Sequence, residues 1–273
     1  MKEKKYLAII LIMIIIGIVY IIFFPNNSKT QASKNTFDKI LDAGEINVCY
    51  LNYPPMSSFN QDTKKLEGHL IDTMDTIGKE AGLKINYIET SFSTFIIALQ
   101  TGQCDISIVA AYKTIPRAKS IAFTRTLFYF GSSAIVQNGE TRFKSLDDLN
   151  KKGIIIAVTQ GEASQEFAKN YLPNAKLIVH TGEQAETFTY VLMGKADVAL
   201  GDAYSVKMFA KIHNNESTDL FADKPFNLLP AAWSVRKGDT ELLQFFDASL
   251  ESLESTGALE SFEKKHGAEW IHK

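Results

Sequence analysis

LQTGQCDISIVAAYKTIPR, residues 99–117, reads as a helix end, a strand and a helix start in one run. Gly102 closes the helix, because glycine takes a positive φ without the clash a Cβ would bring. Asp105 stands at the mouth of the strand. Ile106 to Ala111 are nearly all apolar, the pattern of a strand buried on both faces of a parallel sheet. The chain turns polar at Tyr112, Lys113 and Thr114. Thr114 is a suitable N-cap, Pro116 suits a first turn, and Arg117 lies in that turn. The positive end of a helix does not favour a cation, so an arginine there serves something else. In open α/β sheets small ligands bind where the carboxyl end of a strand meets a helix start. Arg117 can clamp a carboxylate there with two parallel hydrogen bonds, or it can make a surface salt bridge.

Residues 192–204, LMGKADVALGDAY, repeat the pattern. The helix end, the Gly-x-x-Asp from Gly194 to Asp197 and the short apolar strand all recur. This copy ends on Asp202 where the first ends on polar residues and Arg117. Two such units imply two similar lobes, one offering a cation and the other an anion. A zwitterion held between them satisfies both.

From about Gly44 to His266 the sequence resembles the extracytoplasmic solute-binding proteins of polar amino-acid ABC importers, bacterial family 3. The resemblance rests on the order and spacing of Tyr53-Pro54-Pro55-Met56, Gly68 to Asp72, Leu99 to Asp105, Thr114-Ile115-Pro116-Arg117, Phe123-Thr124, Gly161, and Gly194 to Asp202. It implies a type II periplasmic-binding-protein-like α/β fold. Each of the two lobes is then a mixed, mostly parallel sheet flanked by helices, and two strands form the hinge.

The resemblance also assigns roles. Arg117 binds a ligand's α-carboxylate and Asp202 its α-ammonium. Backbone groups near Ala110 and Tyr112 contact the ligand, and Tyr53 and Phe92 sandwich its side chain. The helix start after Gly161 usually carries hydroxyl residues that hold the carboxylate; here Glu162 and Ala163 stand there, followed by Ser164. An acidic residue suits that helix end, yet Glu162 can also repel a carboxylate or meet a cationic side chain. Relatives that bind cationic amino acids carry an acid three residues before the aromatic matching Tyr53. This chain has Tyr50 there, which points to a neutral ligand. Arg117 and Asp202 are expected to be exposed in an open cleft, because burying an unpaired charge is costly. Asp105, Asp197 and Asp72 read as structural, the first two bonding turn amides where a helix meets a strand.

The composition is that of an ordinary globular protein: 273 residues, 45% hydrophobic, 22% charged, net charge −2. With no basic excess, nucleic acid is excluded as a partner. The two cysteines, Cys49 and Cys104, lie in or beside apolar strands. Buried free thiols are the plain reading, and a disulfide forms only if the two strands are neighbours in an oxidising compartment. No paired metal-ligand spacing, HExxH, nucleophile elbow or P-loop occurs, and His69, His180, His213, His266 and His272 are scattered; neither catalysis, metal nor cofactor is expected.

Residues 1–32 read as a signal peptide or a signal anchor. Basic residues precede an unbroken apolar run, Leu7 to Phe24, and Thr30-Gln31-Ala32 offers a cleavage site. Either reading exports the rest of the chain. Residues 33–43 form a linker with a short helix, 44–132 the first part of lobe 1, 133–228 lobe 2, and 229–273 the return to lobe 1. The crossings are expected near Ser132–Ser133 and Leu229–Ala231. Helices are expected over 68–82, 92–101, 161–171, 183–193 and 239–254, and strands over 46–50, 84–88, 106–111, 128–137, 153–158, 176–180, 198–200 and 228–236.

The expected function is capture of a neutral L-amino acid between the lobes and its delivery, by a monomer, to a membrane ABC permease. Two alternatives stand: an enzyme like cyclohexadienyl dehydratase, with Glu162 as its acid, and a membrane-anchored amino-acid sensor.

Overall fold

The computed structural model of the protein describes residues 13–14, 34–268 and 272. The leader or anchor expected over 1–32 thus lies outside the described residues except at Met13 and Ile14. Among the described residues no helix is long and apolar enough to cross a membrane. Asn35–Lys273 forms a unit of its own.

That unit opens with α1 (Thr36–Ala43), β1 (Glu45–Tyr50), the hairpin β2 (Ser58–Asn60) and β3 (Lys65–Glu67), and α2 (His69–Ala81). There follow β4 (Lys84–Glu89), α3 (Phe95–Thr101), β5 (Ile106–Tyr112), the one-turn α4 (Ile115–Ala118) and β6 (Ile121–Phe123). β7 (Phe128–Gln137) leads into α5 (Leu146–Leu149), β8 (Ile155–Thr159), α6 (Ala163–Tyr171), β9 (Lys176–His180) and α7 (Gln184–Leu192). Then come β10 (Val198–Asp202), α8 (Ala203–Ile212), β11 (Ser217–Asp219), β12 (Phe226–Arg236), α9 (Thr240–Ser255) and α10 (Ala258–Lys265). The 92–101 helix begins at Phe95, because Ser91 to Thr94 form a turn in which the Phe95 amide donates to the Ser91 carbonyl at 3.0 Å.

The strand order β4-β1-β5-β12-β7-β10-β8-β9 shows the two lobes as near mirror lists. β4, β1 and β5 are parallel, with β12 antiparallel beside them; β9, β8 and β10 are parallel, with β7 antiparallel beside them. β7 and β12 also pair with each other, Phe128 opposite Ala231 and Phe130 opposite Leu229, so one sheet runs through both lobes. The register of this pair shifts between Phe226 and Leu229, where Asn227 takes φ 50.

Each lobe buries apolar side chains on both sheet faces. Ile46, Val48, Ile106 and Ile108 join Trp233 and Phe246 in one cluster; Cys49, Val109 and Ala111 face Phe95 and Leu99 in another. In the second lobe Ile156, Val158 and Leu200 face one way and Ala157 and Ala199 the other. Alternation along each strand sends neighbours to opposite faces, which is why runs with no polar break are needed.

The repeated units match atom for atom at their helix-to-strand turns. Gly102 and Gly194 end α3 and α7 with φ 76 and 66. The Asp105 carboxylate accepts from the Asn47 amide of β1 at 2.9 Å, and Asp197 accepts from the Ile155 amide of β8 at 2.9 Å. Both aspartates therefore serve an amide of a neighbouring strand, a longer reach than the turn amides expected of them. Asp72 is structural in another way, holding Lys265 and His266 of α10 at 2.7 and 2.8 Å.

Cys49 and Cys104 form a disulfide, Cα to Cα 5.7 Å, which corrects the reading of two free thiols. The reason is topological: β1 and β5 are neighbours, with Cys49 opposite Ser107.

Candidate functional site

A cleft of about 450 Å³ is lined from both lobes. Of the residues named from the sequence, Tyr53, Phe92, Ala110, Tyr112, Arg117, Glu162, Ala163 and Asp202 line it. Tyr50 does not. It is 6% exposed, packs edge-on to Tyr87 at 6.1 Å, and its hydroxyl donates to Glu89 at 3.4 Å. The sequence also missed Met56, Val109, Ala111, Phe130, Ser132 and Ser164, which complete the lining. Met56 and Ser164 adjoin motifs quoted above; Phe130 and Ser132 come from the crossing strand β7.

The two copies of the strand-end pattern place the charges. After β5, Thr114 caps α4 by accepting from the Arg117 amide. This brings the Arg117 side chain back under the end of the strand. Its Nη1 donates to the Tyr112 carbonyl at 3.2 Å, and the guanidinium lies 5.7 Å from the Phe95 ring centroid. After β10, Asp202 caps α8, accepting from the Ser205 amide at 2.9 Å with one carboxylate oxygen. A cation of one lobe and an anion of the other thus face one cleft.

Arg117 is 7% exposed, which corrects the expectation of an exposed guanidinium. The lobes touch: its Nη2 donates to the carbonyl of Gly161 at 2.7 Å. The Tyr53 and Ser205 hydroxyls also share a hydrogen bond, 2.5 Å long, between the lobes. Burial lowers the Arg117 pKa, opposed by Glu166 and Glu162. Burial and Asp202 push the Tyr53 phenol well above its usual range, and the same pair of causes raises Tyr112. Both phenols are neutral hydrogen-bonding groups.

Two backbone positions are unusual. Gly161 sits at φ 80, and a Cβ there would lie 2.6 Å from the Phe92 carbonyl oxygen. Only glycine lets the loop before α6 approach the loop before α3 so closely. Ala110 takes φ 54, beside a register shift of β12 between Ala232 and Ser234. Bulges of this kind re-aim backbone groups at sites.

Glu162, at the start of α6, is 6% exposed. Ser164 Oγ donates to its Oε2 at 2.8 Å. Burial first, and then the neighbouring Asp202, push its carboxyl up to about 8, against the pull of Ser164, Gln184 and Arg117. At neutral pH the cleft therefore presents one cation, one anion and one neutral acid. Among the described residues no group of histidine, cysteine or carboxylate side chains could hold a metal ion.

The sequence profile of the bacterial extracellular solute-binding proteins, family 3, matches residues 46–269. The chain is 28% identical to the ABC transporter glutamine-binding protein GlnH of Bacillus subtilis, over 78% of this chain and 75% of that one. It is 23% identical to cyclohexadienyl dehydratase of Pseudomonas aeruginosa, over 85% of this chain and 86% of that one. Among solved structures it resembles the ancestral amino acid-binding protein AncCDT-1, a precursor of cyclohexadienyl dehydratase, with TM-score 0.75 and 29% identity over 85% of this chain and 99% of that one. The fold is the two-lobed type II periplasmic-binding-protein fold that the sequence led us to expect.

Proposed function

The chain belongs to the bacterial extracellular solute-binding proteins, family 3, and from that premise we propose that it captures a neutral L-amino acid between its lobes for an ABC importer. The observation that carries this reading is the placement of Arg117 and Asp202 on opposite walls of one cleft. An α-carboxylate pairs with the first and an α-ammonium with the second, and only a closed cleft offers both. Binding then favours closure by differential contact, the two lobes turning on β7 and β12. The lobe boundaries we propose are 44–132 with 229–273, and 133–228.

The relatives' names support an amino acid as the ligand and an ABC permease as the partner. A neutral side chain is supported by the charge balance: with Glu162 protonated, Arg117 and Asp202 cancel, and a zwitterion preserves the balance. Tyr50, outside the cleft, carries none of this argument. A ligand with a cationic side chain would need a fixed anion to offset its desolvation, a cost of several kcal/mol. The folded part lies outside the cytoplasmic membrane, and we assign residues 7–24 to export, as a cleaved signal or a retained anchor; intact-mass measurement of the membrane and soluble fractions separates these. The site needs no second chain, in keeping with a monomer.

Calorimetry of the full chain in mild detergent, against the common L-amino acids, tests the reading. Neutral amino acids should bind at least about tenfold more tightly than lysine or arginine, a gap of ~1.4 kcal/mol. A preference for lysine or arginine in direct competition would make Glu162 an anion that receives the side chain, and the neutral class would be wrong.

A second reading is favoured by one observation: a buried acid with a raised pKa in the cleft is what a general-acid enzyme needs. Glu162 could then protonate a leaving hydroxyl, as in the dehydratase alternative. Release of phenylpyruvate from prephenate, abolished in Glu162→Gln, would establish it; no release leaves the binding reading in place.

A further inference from the structure

The first turn of α8 engages the opposite lobe with two consecutive side chains. Ser205 Oγ shares its 2.5 Å hydrogen bond with the Tyr53 hydroxyl, and Tyr204 packs against the same apolar cluster as Tyr53 and Tyr112. Every buried member of that cluster lies in residues 40–130 or 231–253, outside the second lobe that carries α8. Neither Tyr204 nor Ser205 lines the cleft. The other inter-lobe bond differs in this respect, because Arg117, which makes it, is itself a lining residue.

We propose that Tyr204 and Ser205 form a latch that draws the two lobes together whether or not a ligand is bound, so that the chain itself sets part of its own closure. The contact takes nothing from the contents of the cleft. In the open state both hydroxyls turn to water, so the net gain from the bond is modest, and the latch poises the cleft rather than locking it. One such bond biases the closed-to-open ratio about threefold to tenfold. The apolar contact of Tyr204 adds to that bias. A ligand senses the latch only through the population of the closed form, so the latch scales the affinity of every ligand by one factor and leaves their order unchanged. It acts alike on any cleft ligand, whatever its class. Ser205 is thus a positioning residue, and its hydroxyl is separable from the cap of α8, where Asp202 accepts from the Ser205 main-chain N–H at 2.9 Å.

The test measures closure without ligand. Spin labels on Ile97→Cys in α3 and Met193→Cys just after α7, both exposed and on different lobes, report the inter-lobe distance in the full chain by pulsed electron resonance. Cys49 and Cys104 are bonded to each other and take no label. Wild type should show a closed and an open population. Ser205→Ala should lower the closed-to-open ratio about threefold to tenfold, and Tyr204→Ala should lower it as well. Ser205→Thr keeps a hydroxyl and should stay within about twofold of wild type. In calorimetry with L-glutamine, L-leucine and L-methionine, each that binds wild type should weaken by one common factor in Ser205→Ala, no larger than the fall in that ratio. A wild type found only open, or equal distance distributions in wild type and both alanine variants, overturns the latch. So does a loss of affinity for one of these amino acids and not the others, which makes Ser205 a ligand contact. The distances need no ligand, so they decide the latch even where the amino-acid reading fails.

Discussion

Arg117 Nη2 donates to the carbonyl oxygen of Gly161 at 2.7 Å, joining the end of β5 in one lobe to the start of α6 in the other. One side chain therefore does two things. It presents a cation to the cleft, and it ties the cleft shut through a main-chain group no substitution can remove. The Tyr53–Ser205 hydrogen bond is a second tie between the lobes, made by two side-chain hydroxyls. On the proposed reading Arg117 and Tyr53, which make these inter-lobe contacts, also meet the ligand, and binding would then favour closure.

Arg117→Ala and Asp202→Asn should each weaken amino-acid binding by about 2 kcal/mol or more, since each leaves a ligand charge buried without its partner. Calorimetry of both variants checks this. Near wild-type affinity in both would remove the site assignment.

Gly161→Ala adds a Cβ 2.6 Å from the Phe92 carbonyl oxygen, a backbone atom with no rotamer to yield. The left-handed φ of 80 adds about 1 kcal/mol of strain in any state that keeps it. The expected outcome is a chain that folds, stays open and loses at least about tenfold in affinity. Small-angle scattering with and without ligand should show no compaction where wild type compacts.

Much of this was legible in the sequence, for identifiable reasons. Gly102 and Gly194 both end helices in the left-handed region, and the apolar runs after them have few other uses than buried strands. The two Gly-x-x-Asp copies correctly foretold twin lobes. Tyr50 was misplaced because a match of spacing outweighed alternation: Ile46, Val48 and Tyr50 share one strand face, and that face packs in the core. The β2–β3 hairpin, Ser58 to Glu67, is too polar and short to show a period. Helix α8 was passed over because Asp202 was read as a ligand residue only; it is also a helix cap.

Ala110→Gly should stabilise the fold by about 1 kcal/mol, because glycine takes φ 54 without Cβ strain, offset in part by its greater freedom when unfolded. Urea denaturation measures it. A loss of more than about 1 kcal/mol would show that the Ala110 methyl packs more strongly than its backbone strains.

The disulfide closes a loop with a sequence separation of 55. On the chain-entropy model that constraint is worth about 4 kcal/mol, and the two sulfurs are buried, so the pair contributes to the first lobe's core as well. The double variant Cys49→Ala, Cys104→Ala should lose about 3–4 kcal/mol in urea denaturation while its ligand affinity stays within about threefold, since neither cysteine lines the cleft.

The last prediction concerns Glu162 and pH. Its folded-state carboxyl is pushed up to about 8, first by burial and then by Asp202, with Ser164, Gln184 and Arg117 opposing the rise and Tyr112 beside it neutral. In the unfolded chain a glutamate releases its proton near pH 4.3. Between these values the folded state holds one proton that the unfolded state has lost. Stability therefore falls as pH rises through this window, by up to about 1.4 kcal/mol per unit, and levels off above about 8. Glu162→Gln keeps the shape and a donor but has nothing to titrate. The variant should gain on wild type as pH rises, by about 2 kcal/mol or more between pH 5 and pH 8, while other titrating groups cancel in the difference. Urea denaturation of both proteins at pH 5, 6.5 and 8 measures it. A difference that does not change with pH means that Glu162 is ionised in the folded protein, and the neutral-ligand reading loses the charge balance it rests on.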